Sequence, residues 1–209
     1  MSSKSSYTEH EKHEIIKTFL KAVDTDPKEG HVRWGNSRGD NNFFLTCAER
    51  LKALGVKSVL DIGCGAGSFV VICIKNYFMK AYGVTPMGNF RKSENRPSNT
   101  DFFYNGTVET ILRNQELLAN VKFDCITIHN TLHGKGWEDG ELNDLIHFMK
   151  KHSKYIVISK PLNNPKVSLS GLREMVAFDS SHGGVHHFLY EVCNPDADVI
   201  EKHLKLWGV

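Results

Sequence analysis

The stretch SVLDIGCGAGSFV, residues 58 to 70, limits what this chain can fold into more than any other. Val59, Leu60 and Ile62 are the apolar run of a buried parallel strand, and Asp61 lies near its end. Gly63, Gly65 and Gly67 remove Cβ atoms where the backbone turns sharply and where another molecule can approach closely. A helix follows, so the free N–H groups of its first turn face the loop. An acid two residues before Gly-x-Gly-x-Gly departs from the Gly-x-Gly-x-x-Gly spacing of dinucleotide loops. Strand, acid, glycines and helix in this order predict a nucleotide-type binding loop in an α/β sheet.

The rest of the chain supplies that sheet. Thr8 and Glu11 form a capping box ahead of Ile15, Ile16, Phe19, Leu20 and Val23, which recur at helical spacing until Asp26-Pro27. Residues 28–42 read as a loop, and 43–54 as a helix stopped by Gly55. Strands are predicted near 57–62, 80–85, 101–104, 123–129 and 155–160, with helices near 68–78, 108–118 and 138–152 between them. This alternation predicts a mostly parallel sheet covered by helices on both faces. Beyond Pro165 the pattern weakens to one strand, 186–192, and an amphipathic helix opening at Asn194-Pro195.

Composition narrows the function classes. With 209 residues, 40% of them hydrophobic, one domain spanning 1–209 is expected. No apolar run is long enough for a bilayer, and MSSKSSY lacks a signal peptide's apolar middle, so a soluble cytoplasmic chain is expected. Five scattered cysteines without a Cys-x-x-Cys pair fit reduced thiols. A net charge of +2 argues against coating long nucleic acid by charge alone and leaves room for a local basic site.

The glycine loop resembles motif I of the class I S-adenosylmethionine (SAM) dependent methyltransferases. That resemblance implies a Rossmann-like fold, SAM as cofactor with S-adenosylhomocysteine as product, and a SAM-binding core at 43–165 between substrate-side segments 1–42 and 166–209. It assigns Ser37, Asp61, Gly63, Cys64, Gly65, Gly67, Thr85, Asn105, Gly106 and His129 to the cofactor. Thr85 stands where these enzymes usually carry an acid for the ribose hydroxyls, and the Gly-Val-Thr form resembles viral cap methyltransferases. Asn105 could meet the adenine amino group, although Asn105-Gly106 equally makes an ordinary turn.

The segment after the fourth strand, His129 to Gly134, is similar to that of mRNA cap guanine-N7 methyltransferases, which implies His129, Asn130 and His133 beside the transferred methyl. For His133 a helix-start histidine is the competing reading. NSRGDNNF, Gly-Val-Thr and SKPLNNP are also similar to flavivirus-type cap methyltransferases, whose Lys-Asp-Lys-Glu tetrad deprotonates a ribose 2′-hydroxyl. Here only Lys160 is clearly kept; the other positions fall near Asn42, on His129, and near Phe188 or Glu191. Guanine N7 carries no proton, so its methylation needs positioning without a general base. The expectation is therefore cap guanine-N7 methylation, with capped RNA and other capping or replication proteins as partners. Ribose 2′-O-methylation, a small-molecule acceptor, or an inactive RNA- or protein-binding module are the alternatives.

Candidate substrate contacts are Arg33, Arg38, Lys135 and Lys160 for phosphates, and Trp34, Trp137, His133, Tyr190 and Glu191 for the guanine. Alternation on the strand sends His187, Leu189 and Glu191 to one face and His186, Phe188 and Tyr190 to the other. His182, His186, His187 and Cys193 are metal-ligating types without zinc-finger spacing, and no metal is expected.

Overall fold

A computed structural model describes residues 7–24, 41–86, 100–129, 139–161, 169–178 and 185–193. Helix α1 (Glu9–Val23) starts at the anticipated capping box, with Glu11 N–H donating to Thr8 Oγ1 at 3.2 Å and Thr8 N–H to Glu11 Oε2 at 2.7 Å. Its buried stripe is Ile16, Phe19, Leu20 and Val23. Helix α2 (Asn41–Ala53) buries Phe43, Phe44, Cys47, Ala48 and Leu51. Gly55, at φ 76°, turns the chain into strand β1 (Ser58–Ile62).

From there strands and helices alternate. Helix α3 (Ser68–Tyr77) leads to β2 (Lys80–Thr85), and β3 (Phe103–Asn105) to α4 (Val108–Asn114). Strand β4 (Phe123–Ile128), α5 (Asp139–His152), β5 (Ser153–Pro161), β6 (Leu172–Phe178) and β7 (Val185–Val192) complete the order. One seven-stranded sheet runs β3-β2-β1-β4-β5-β7-β6. The first five are parallel, and β7 pairs antiparallel with both β5 and β6.

The two faces carry separate apolar layers. Leu60, Tyr82, Phe123, Ile126 and Ile156 pack against α1, α4 and α5, with Phe19, Ile111 and Phe148 fully buried there. Val59, Ala81, Cys125, Val157 and Leu189 pack against α2 and α3 through Leu51, Phe69 and Val70. Each buried Val, Leu, Ile or Phe among them contributes about 1.5–3 kcal/mol on burial, which fixes both helical layers to the sheet.

The structure corrects three sequence readings. The third strand is short and late, because a 3₁₀ turn at Thr100–Phe102 precedes it and Tyr104 OH holds that turn by donating to Asp101 O at 2.9 Å. The helix expected over 108–118 tightens at Gln115–Leu118 into 3₁₀ geometry, after which Ala119 takes φ 46°. Strand β6 had no sequence signal: Arg173, Glu174 and Met175 are exposed on an edge strand, and its register slips between Glu174 and Val176. The helix anticipated after Asn194 lies outside the described residues.

Candidate functional site at the carboxyl end of the sheet

Strand β1 ends in a loop that only glycine accommodates. Gly63, Gly65 and Gly67 adopt φ of 72°, 54° and 79°. The loop is pinned to β2 by Gly63 N–H donating to Val84 O at 2.7 Å, and closed by Gly67 N–H donating to Cys64 O at 2.8 Å. A Cβ on Gly67 would fall 2.4 Å from the Phe103 ring, and one on Gly83 only 2.5 Å from Cys64 Sγ. Among the described residues, a Cβ on Gly65 would meet nothing within 4 Å, so they leave the space above the middle of the loop open. The N-cap of α3 is Gly67, which has no side chain to bond the first-turn amides, so their dipoles can serve a ligand.

Behind this loop, the sheet face covered by α2 and α3 turns polar. Thr127 Oγ1 donates to Asp61 Oδ1 at 2.8 Å across β1 and β4. Asp61 is 1% exposed, and burial pushes its carboxyl up to about 7, partly opposed by the Thr127 bond. One strand pair further on, Ser159 on β5 hydrogen-bonds His187 Nδ1 on β7. Burial also raises the thiols of Cys47, Cys64 and Cys73, so none is an activated nucleophile.

His129, just past β4, is enclosed by aromatic rings. Phe69 meets it edge-on at 4.6 Å, Phe44 lies at 5.3 Å, Phe43 at 5.4 Å and His187 at 6.2 Å between centroids. Phe43 stacks on His187 at 3.7 Å and meets Phe178 of β6 at 5.6 Å. Burial, with His187 adding to it, lowers the His129 pKa to about 3, so the imidazole is neutral and weakly basic at working pH. This cage joins α2, α3, β4, β6 and β7. Sequence reading placed His129 at the site, named His187 only as a metal-ligating type, and missed Phe43, Phe44, Phe69, Thr127 and Ser159; adjacent phenylalanines opening α2 were a local signal for the cage.

The other anticipated residues divide. Thr85 and Asn105 sit side by side at the ends of β2 and β3, both buried, and Asn105 N–H donates to Asp24 Oδ1 at 2.8 Å. Gly106 makes room for α1, since a Cβ there would lie 2.6 Å from Val23. Lys160 holds the register position opposite His186, next to the Ser159 and His187 pair. Tyr190 and Glu191 are not brought to the loop. Because β7 runs antiparallel, they pair with Ile156 and Tyr155 near the start of β5, Tyr190 in the core and Glu191 bonded to Arg173. Phe188 packs against that same core. Arg33, Trp34, Ser37, Arg38, Asn130, His133, Lys135, Trp137 and His182 lie outside the described residues. Among the described residues no three His, Cys, Asp or Glu side chains converge on a metal position.

The fold, a mostly parallel seven-stranded sheet with β7 alone reversed between β5 and β6, is similar to those of solved methyltransferases. The magnesium protoporphyrin IX methyltransferase of Synechocystis, solved with SAM, superposes with a TM-score of 0.52 at 13% identity over 92% of this chain and 100% of its own. The chain has the Rossmann-like class I methyltransferase fold. Human N-acetylserotonin methyltransferase, also with SAM, matches this fold with a TM-score of 0.52 at 14% identity over 93% of the chain. The mitomycin 7-O-methyltransferase MmcR gives 0.50 at 13% identity over 73%. The chain spans 54% of the mitomycin enzyme's length and 61% of the human enzyme's. No family model and no curated protein sequence matches it. Within a class I fold, the glycine loop, the Asp61 layer and the His129 cage lie together at the carboxyl ends of β1 and β4, where open α/β sheets take their ligands.

Proposed function

We propose that the chain binds SAM along the glycine loop and directs its methyl group to N7 of an RNA cap guanine without a general base. The residues present suit that cofactor: volume over Gly65 left open by the described residues, amide dipoles at the start of α3 that its N-cap glycine cannot bond, and a buried carboxyl two residues before the turn. SAM supplies an electrophilic methyl group. The chain's part is to hold the acceptor nitrogen in line and keep water away, which Phe43, Phe44 and Phe69 do by walling the end of β4. The observation that carries the base-free reading is His129. Caged by Phe43, Phe44 and Phe69 and held neutral by burial, its imidazole is a weak base for taking a proton from a hydroxyl.

A small-molecule acceptor is the second reading, favoured by the comparison proteins that are named for mitomycin, N-acetylserotonin and magnesium protoporphyrin. One assay separates the two. Tritiated SAM is offered with capped RNA lacking N7 methylation and with the same RNA already N7-methylated. The proposal expects label in the first only, released as N7-methylguanosine cap on digestion. It also expects Lys160→Ala to cost about tenfold, short of the ~10²–10⁴ lost with a general acid or base. Label on the ribose of the first nucleotide, with activity abolished in Lys160→Ala, would overturn it in favour of 2′-O-methylation. No label in either RNA would move the acceptor to the small-molecule class.

A further inference from the structure

The opposite end of the sheet carries a second feature that the methyl-transfer reading leaves unused. A cleft of about 610 Å³ opens between α1 and the amino ends of β1, β2 and β4. Lys57 precedes β1, Lys80 starts β2 and Lys122 precedes β4. These strands are neighbours in the order β2-β1-β4, and all three lysines line the cleft. The cleft's two carboxylates are already engaged. Glu9 pairs with Lys12 at 2.7 Å, and Asp124 Oδ2 accepts from Lys57 N at 2.8 Å and Ser58 N at 2.9 Å. Among the described residues, the ammonium groups of Lys57, Lys80 and Lys122 form no ion pair.

At the mouth stands Phe78. It is 86% exposed and holds φ 55° at the end of α3, fixed by its N–H to Ile74 O at 3.2 Å and by Met79 N–H to Cys73 O at 3.1 Å. Glycine is the residue that takes this capping geometry without strain. An exposed aromatic there neither fills the core nor improves the cap, so folding does not account for the ring. An exposed aromatic ring beside three lysines that form no ion pair among the described residues is the composition of single-strand nucleic-acid sites, where bases stack and phosphates meet cations.

We infer that this cleft binds a single-stranded RNA segment, with one base on Phe78 and successive phosphates on Lys57, Lys80 and Lys122. Three cations from three adjacent strands, lining one cleft, suit a phosphodiester strand better than one phosphate group. The choice of RNA among polyanions rests on the cap reading above. Strand binding is therefore measured with uncapped RNA and no SAM, so that its failure leaves the cap reading standing and the reverse.

The test is fluorescence anisotropy of a labelled uncapped oligouridylate on the full chain across a salt series, with unfolding followed in parallel. Wild type should bind with a slope of log K on log salt of about −2, as three single-strand phosphate contacts require. Lys57→Gln/Lys80→Gln/Lys122→Gln should lose that slope while its circular dichroism stays native. Phe78→Gly, which relieves the backbone, should unfold at or above the wild-type temperature and still bind about tenfold more weakly; Phe78→Trp should bind as well as wild type. RNA affinity unchanged in folded triple or Phe78→Gly variants would overturn the inference, and so would no binding by wild type. Inorganic pyrophosphate or uridine monophosphate binding as tightly as the oligomer would overturn it too, by making this a simple anion site.

Discussion

Asp61 sits in conflict between folding and binding. Buried against Thr127, its carboxyl titrates at about 7, whereas in the unfolded chain it titrates near the ordinary aspartate value of about 3.9. The unfolded chain therefore gives up this proton first, and Asp61 withdraws stability as pH rises from about 4 to about 7, with no further loss above. Asp61→Asn keeps an oxygen for the Thr127 hydroxyl and removes the titration. Thermal unfolding should show the variant more stable than wild type at pH 8, by a few kcal/mol at about 1.4 kcal/mol per pKa unit, and equal to it near pH 4. The same variant should bind SAM at least about tenfold more weakly, because the carboxylate is the anion behind the loop. His129 acts in the other sense. Its depressed pKa of about 3 means the unfolded chain takes up a proton first on acidification, so its contribution is lost as pH falls from about 6.5 toward 3. Proton NMR should find, among the 11 histidines, a His129 signal that does not titrate between pH 5 and 8.

At the scale of elements, α2 connects the fold to the site. Its first turn carries Phe43, which touches His129 just past β4, His187 of β7 and Phe178 of β6. Phe43→Ala should cost about 3–5 kcal/mol in urea unfolding, as a large buried ring does, and should also let water reach His129 and raise its pKa toward the usual histidine range. A variant that is destabilised while His129 still fails to titrate would show that Phe44 and Phe69 suffice for the enclosure. Elements whose burial repeats with a clear period were legible in the sequence. Helix α1 announced itself through Thr8, Glu11 and its buried stripe, and β1, β2 and β4 through continuous apolar runs. Strand β6 was not, because an edge strand with an irregular register has no strict alternation to detect. The His129 cage was invisible for a related reason: Phe43, Phe69 and His187 are far apart in the chain, and only strand order brings them together.

For the molecule as a whole, sheet direction decides what the site can contain. Reversal of β7 carries His187 to the ligand end and Tyr190 and Glu191 away from it, a distinction that strand alternation alone cannot make. The β6–β7 pair also closes the sheet beside β5, supplying Leu189 to one apolar layer and Tyr190 to the other. Deleting residues 172–193 should therefore abolish cooperative unfolding of the entire chain; near-UV circular dichroism retained in the truncated protein would contradict that coupling. The glycine loop was legible down to single residues, since its backbone angles demand glycine in the sequence itself. It is also where the account is most exposed. Calorimetric titration of SAM into wild type and Gly65→Arg tests it, because an arginine there would project from the loop into the open volume assigned to the cofactor. One-to-one binding by wild type is predicted, with no detectable binding by Gly65→Arg and an unfolding temperature lowered by only a few degrees, as about 1–2 kcal/mol of left-handed backbone strain requires. No SAM binding by wild type, or equal affinity in the folded variant, would contradict the account.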